Sequence, residues 1–244
     1  MVTSKATRVH SSRNRLRAGG LAFPIFTLLI LALGGSAFIT YVLWPRWPEP
    51  AVATGAPALP ITVAGVGFNV PPAAIRIPVQ RRSGEHERVD LAFLWPSLDP
   101  PDPASNSVVA PPSAPGQAKP LARLFVTISA AGDTLPVAER VRTIYSRYTT
   151  STPMPGPEGL SVLTFADGTP YQGEDLIYDA QTPENFLVRC TRNGSGPTPG
   201  MCLYNQRIDA ADVIVRFPRD WLTDWRIVEA KIERLIIGIS RTSS

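Results

Sequence analysis

The chain has 244 residues, 44% of them hydrophobic and 18% charged, with 26 prolines and 18 glycines. It is apolar enough to bury a core, which excludes wholesale disorder, and too proline-rich for a helical bundle, since an interior proline costs a helix about 3 kcal/mol. The net charge of +4 is uneven, because Lys5, Arg8, Arg13, Arg15 and Arg17 face no acid in residues 1–17, leaving 19 basic against 20 acidic side chains beyond them.

Residues 1–17 therefore form a basic tail, and the nearly neutral remainder lacks the basic footprint of a nucleic-acid binder. Residues 18–45 carry no charge. The apolar run Leu21–Leu43, at ~1.5 Å per residue, makes about 34 Å of helix, enough to cross a hydrocarbon layer of ~30 Å. Pro24 is expected in its first turn. Tyr41, Trp44 and Trp47 fit the membrane-water interface, apolar in the ring body and polar at the tip. The cationic cluster precedes the span and only Arg46 closely follows it, so the tail is predicted to stay in the cytoplasm and the rest to be translocated. Ala51-Val52-Ala53 resembles a signal-peptidase site, but the apolar run far exceeds a usual signal core, which favours an uncleaved anchor.

Residues 46–60, rich in Pro and Ala, read as an extended linker, and residues 61–244 as one α+β domain. Residues 96–120 contain few large apolar side chains and many prolines, and are expected to form a disordered insertion. Strands are predicted at Ile61–Phe68, Arg88–Trp95 and Leu121–Ser129. A helix follows at about 136–148, with Val137, Val141, Ile144 and Tyr148 on one face. Short strands at 160–165, 175–179, 186–191, 202–208 and 212–217, with turn residues between them, read as an antiparallel meander. A final helix at about 218–240 repeats Trp221, Trp225, Val228, Ile232, Leu235 and Ile239 at steps of 4 and 3. That stripe is expected to lie across the sheet.

The strings Asn69–Trp95 and Tyr171–Cys190, with the Trp-rich last helix, resemble a poorly characterised family of proteobacterial single-pass inner-membrane proteins. The resemblance implies an amino-terminal span and an extracytoplasmic α+β domain. It implies no activity.

Catalytic signals are thin. Two cysteines and two histidines exclude a four-cysteine zinc site and a His-rich one. His86 is the one histidine beyond the span and is expected in a solvated turn. No nucleophile elbow or P-loop is present, and Gly65-x-Gly67 is too short for a dinucleotide fingerprint. No cofactor is implied. Glu174-Asp175 and Asp209/Asp212 are the carboxylate pairs an enzyme would use, and their setting suggests turns. Arg76, Arg81, Arg82 and Arg88 form the densest basic patch outside the tail and a candidate partner surface, with Glu85 and Glu87 largely neutralising it. Cys190 and Cys202 flank a Gly/Pro-rich reversal between two predicted strands. Antiparallel pairing there places them within disulfide reach, with no catalytic part.

Two functions remain. One is a bilayer-anchored scaffold or accessory domain binding another envelope component at the bacterial inner membrane. The other is an envelope enzyme using carboxylates of the later strands, which a pocket gathering Glu174, Asp175 and Asp212 would favour, as a flat apolar or aromatic patch would favour the first.

Overall fold

The structure, a computed structural model, describes residues 19–43, 52–53, 55–102, 123–194 and 199–240. The chain divides into two units, Met1–Glu49 and Pro50–Ser244. In the first, helix α1 spans Gly19–Leu43. It lies within the expected 18–45, and with its start at Gly19 Pro24 falls in the second turn rather than the first. Its described side chains are exposed, including Ile25, Leu28, Leu31 and Phe38, and the 19 residues Pro24–Val42 are apolar enough to cross a membrane.

Among its described residues, the second unit holds two sheets. The smaller joins β1 (Leu59–Val63), β2 (Val66–Val70) and β3 (Gly84–His86) in the order β2-β1-β3. The stretch 61–68, predicted as one strand, is instead a hairpin. Ala64 and Gly65 both take positive φ, 50° and 80°, as a two-residue turn matched to strand twist demands. Ala-Gly is a weak turn signature beside Asn-Gly, which is why the reversal does not show in the sequence. β3 then pairs with β1 in parallel.

The larger sheet contains β4 (Arg88–Leu94), β5 (Arg123–Ala130), β6 (Met154–Pro155), β7 (Leu160–Thr164), β8 (Glu174–Asp179), β9 (Leu187–Thr191), β10 (Met201–Ile208) and β11 (Ala211–Pro218). Its order is β4-β5-β11-β10-β9-β8-β7-β6, antiparallel throughout. The α+β architecture and the later meander match the sequence reading.

Register explains the core. Leu91, Val126, Val215, Tyr204, Val188, Ile177 and Val162 stand opposite one another strand by strand, a single apolar row on one face. Helix α3 (Trp225–Ile239) buries Trp225, Val228, Ile232, Leu235 and Ile239 in the same core, as the stripe predicts. Each such side chain fully withdrawn from water contributes roughly 1.5–3 kcal/mol. Ile61, Val63, Phe68 and Val70 of the smaller sheet join that core, and Phe68 bridges to Ser240 just past α3.

A second, smaller core lies on the opposite face of β7 and β8, where residues alternate by pleat: Ile177 faces α3 and Leu176 faces away. There Tyr145 meets Phe165 and Tyr171 edge-on, at 5.5 and 5.2 Å. The helix expected to Tyr148 stops sooner: α2 covers Val137–Thr143, and a 3-10 turn follows at Tyr145–Arg147. That change of winding buries Tyr145 and leaves Ile144 and Tyr148 partly exposed.

Candidate functional site

The region of the basic patch is built by the segment between β2 and β3. It runs along the outer edge of β4, where Ile75 bridges Leu91 and the Arg76 N–H donates to the Asp90 carbonyl at 2.9 Å. Two prolines, Pro72 and Pro78, open 3-10 turns in it, their fixed φ setting each bend. The edge strand is thereby covered rather than left open for pairing.

Asp90 anchors this segment. Its carboxylate is 5% exposed and accepts bonds from Arg88 Nε at 2.9 Å, the Arg88 terminal nitrogen at 2.7 Å and Thr127 Oγ1 at 2.9 Å. Gln80 Nε2 donates to it at 3.5 Å, while Gln80 Oε1 accepts the Asp90 N–H at 2.9 Å. Burial pushes the Asp90 carboxyl up, but the bonds from Arg88 and Thr127 and the Arg88 charge outweigh it and hold the group below its usual range. Sequence reasoning passed over Asp90. The available signal was an acid alone inside Val89–Trp95, two residues from Arg88 and so on the same strand face.

The four patch arginines divide between two depressions. Arg82 and Arg88 line an open one of about 1000 Å³ with Gln80, Glu85, His86 and Glu87. Its two arginines face two glutamates, so it is electrically balanced. His86 is not the solvated turn residue expected: it lies in β3 opposite Val63, is 7% exposed, and donates from Nε2 to the Arg82 carbonyl at 2.9 Å. Parallel pairing with a strand more than twenty residues away buries it, which local sequence cannot show.

Arg76 and Arg81 line the second depression, about 280 Å³, with Arg123, Phe125 and Ala92. Among the described residues no acid lines it. The Arg76 guanidinium sits 4.8 Å from the centre of the Phe125 ring, and Arg81 Nε donates to the Ile75 carbonyl at 3.1 Å. From Phe125 the outer sheet face continues through Arg216 and Leu203, which stand opposite one another across β5, β11 and β10. Phe125, Leu203 and Ile214 belong to neither hydrophobic core. Arg216 is exposed between them.

Glu174, Asp175 and Asp212, whose gathering would favour an enzyme, are not brought together. Glu174 and Asp175 lie in β8 and Asp212 in β11, within strands rather than in turns. β8 and β11 are three positions apart, and the row of Asp175 meets β11 at Phe217, so roughly 14 Å across the sheet and roughly 17 Å along it separate the acids. Each is paired: Glu174 with Arg189 at 3.1 Å, Asp175 with Arg219 at 2.6 Å, and Asp212 with Arg207 at 2.8 Å. Burial pushes Asp212 up, and bonds from Arg207 and Thr134 more than reverse it. Among the described residues no cluster of His, Cys, Asp and Glu could hold a metal ion.

Cys190 and Cys202 are directly opposed in β9 and β10 and form a disulfide, both fully buried, with Cα atoms 4.0 Å apart. Tyr41 is 83% exposed near the end of α1, while Trp44, Trp47 and most of the Pro-rich stretch lie outside the described residues.

No family model matches the chain, and no curated protein does. Among solved structures it is similar to an immunity protein of the Stenotrophomonas maltophilia type IV secretion system, with a TM-score of 0.51 and 14% identity over 76% of this chain and 94% of that one. A looser likeness, TM-score 0.42 and 11% identity, covers 79% of this chain and 97% of the Neisseria meningitidis iron-regulated outer membrane lipoprotein FrpD. The first establishes a shared fold alone, and the second is too distant to establish that.

Proposed function

We propose that the protein is an accessory or scaffold protein of the bacterial envelope, anchored by α1 with its amino terminus in the cytoplasm and its α+β domain on the extracytoplasmic side. In this reading the domain binds another envelope component through the outer face of the larger sheet. The observation that carries it is the depression at Phe125, lined among the described residues by Arg76, Arg81 and Arg123 and by no acid. Beside it Leu203 and Ile214 stand outside both cores. Arginine and aromatic side chains around an apolar centre are what partner-binding surfaces enrich. The paired and dispersed carboxylates give the enzymatic alternative no assembled site.

The test is a photo-crosslinking residue at Ile214, activated in intact membranes. A defined adduct that disappears with Arg216→Glu, while the domain still folds, supports the reading. An adduct unaffected by Arg216→Glu, or none at all, overturns the assignment of this face.

A further inference from the structure

The turn Pro78–Gln80 bares its apolar side chains. Val79 is 74% exposed and Ile77 40%, while Ile75, two residues earlier, is 1% exposed. A loop exposing apolar groups by looseness would need no explanation, but this one is held firmly. The Gln80 N–H donates to the Ile77 carbonyl at 2.9 Å and the Arg81 N–H to the Pro78 carbonyl at 3.0 Å. The Gln80 side chain is fixed to Asp90 and the Arg81 side chain to the Ile75 carbonyl. A rigid apolar tip loses little entropy on contact with a surface. Arg76 and Arg82 flank it, both exposed, and Glu85 and Glu87 share the depression that Val79 lines.

We infer that Ile77, Pro78 and Val79 form a tip that rests in the headgroup region of the bilayer to which the chain is anchored. This rests on the reading of α1 as an uncleaved span. The bilayer is the surface that such an anchor always supplies. Residues 44–58, between α1 and β1, reach at most about 54 Å at up to ~3.6 Å each, so the domain meets the membrane as an intramolecular event at high effective concentration. Weak adsorption is then sufficient. Ile and Val side chains enter the boundary between headgroups and acyl chains, and the flanking guanidinium groups donate paired hydrogen bonds to lipid phosphates. The two nearby glutamates make the contact mainly apolar, so it should depend little on salt.

The full chain is reconstituted in nanodiscs containing phosphatidylglycerol, with an environment-sensitive fluorophore on Ser83→Cys and spin-labelled lipid as quencher. The two native cysteines are joined in the disulfide and do not compete for label. The expected result is severalfold stronger quenching at Ser83 than at Ile237→Cys, an equally bare apolar site on α3, and its loss in the Ile77→Ser, Val79→Ser double variant. Equal quenching at both sites, no quenching at Ser83 in chain that co-elutes with the discs, or persistence in the double variant overturns the inference. Quenching that is absent in pure lipid discs, together with a label shift seen only on adding membrane extract, assigns the tip to a protein partner and also overturns it. Failure to co-elute with the discs overturns the anchor reading itself.

Discussion

Arg88 presents a sharp test of how this domain is held together. Its side chain is 54% exposed, and replacing so exposed a residue usually changes stability by less than about 0.5 kcal/mol. Here its partner decides the outcome. Arg88→Ala removes three contacts to Asp90 and leaves a carboxylate that is 5% exposed with only Thr127 and Gln80 to answer it. Hydrogen bonds to a charged group contribute about 1.5–3 kcal/mol, and stranding a fully buried charge costs about 3–5. Arg88 itself is half in water, where screening weakens the pair, so the expected loss is about 2–3 kcal/mol. For a domain of this size that lowers Tm by roughly 4–12 °C.

The pH dependence fixes the cause. In the native protein the Asp90 carboxyl is held below its unfolded value of 3.8, so its contribution is complete above that pH and fades as pH falls through the folded value. Without Arg88 its two lowering contributions are gone while burial remains, so the carboxyl is depressed less and its stabilisation at neutral pH shrinks. The gap between native protein and Arg88→Ala should therefore be widest at pH 7 and narrow steadily toward pH 3.5. Thermal unfolding of the full chain in detergent, followed by circular dichroism, measures both points. A change within about 0.5 kcal/mol at pH 7, or the same loss at both pH values, refutes the reasoning.

Other expectations follow from the same geometry. Replacing Cys190 and Cys202 together by Ser should cost about 3 kcal/mol in the chain-entropy view, and mass spectrometry of unreduced protein should show peptides joined through both residues. Burial, then the charges of Glu233 and Asp179, raises the Glu229 carboxyl from its ordinary 4.5. Ionised Glu229 thus weakens the fold above its folded value, and Glu229→Gln should raise Tm at pH 7 with an advantage that vanishes below pH 4.5. A reporter fused after Ser244 should be active only outside the cytoplasm, and protein recovered from cells should not begin at Thr54. Activity inside, or that shortened terminus, would undo the proposed anchoring.

The meander and α3 were legible because their signals are local. β10 and β11 alternate with period two between turn residues, and the α3 stripe needs no knowledge of what covers it. The hairpin of β1 and β2 failed at the same scale, because Ala64-Gly65 gives up positive φ without the Asn or Asp that usually announces it. The end of α2 differs from the expectation for a tertiary reason: Tyr145, not Ile144, is buried edge-on against the packed Phe165 and Tyr171 rings, and the backbone rewinds to deliver it.

The surface features obey register rather than composition. Arg76, Arg81, Arg82 and Arg88 look like one patch because they are neighbours in sequence, yet the edge-covering segment turns them into two environments of different charge. Arg88 and Asp90 are the exception that sequence could have shown, since residues two apart in a strand share a face. Their pairing commits Arg88 within the domain, and the proposed surface includes instead Arg216, which no sequence window places beside Phe125. It is the antiparallel alignment of β5 with β11 that sets those two side chains opposite each other. A one-residue slip of that alignment would turn Arg216 into the core and Val215 out of it. The apolar row through Val126, Val215 and Tyr204 therefore fixes the arginine on the outer face, so the same burial that stabilises the sheet also positions its candidate binding surface.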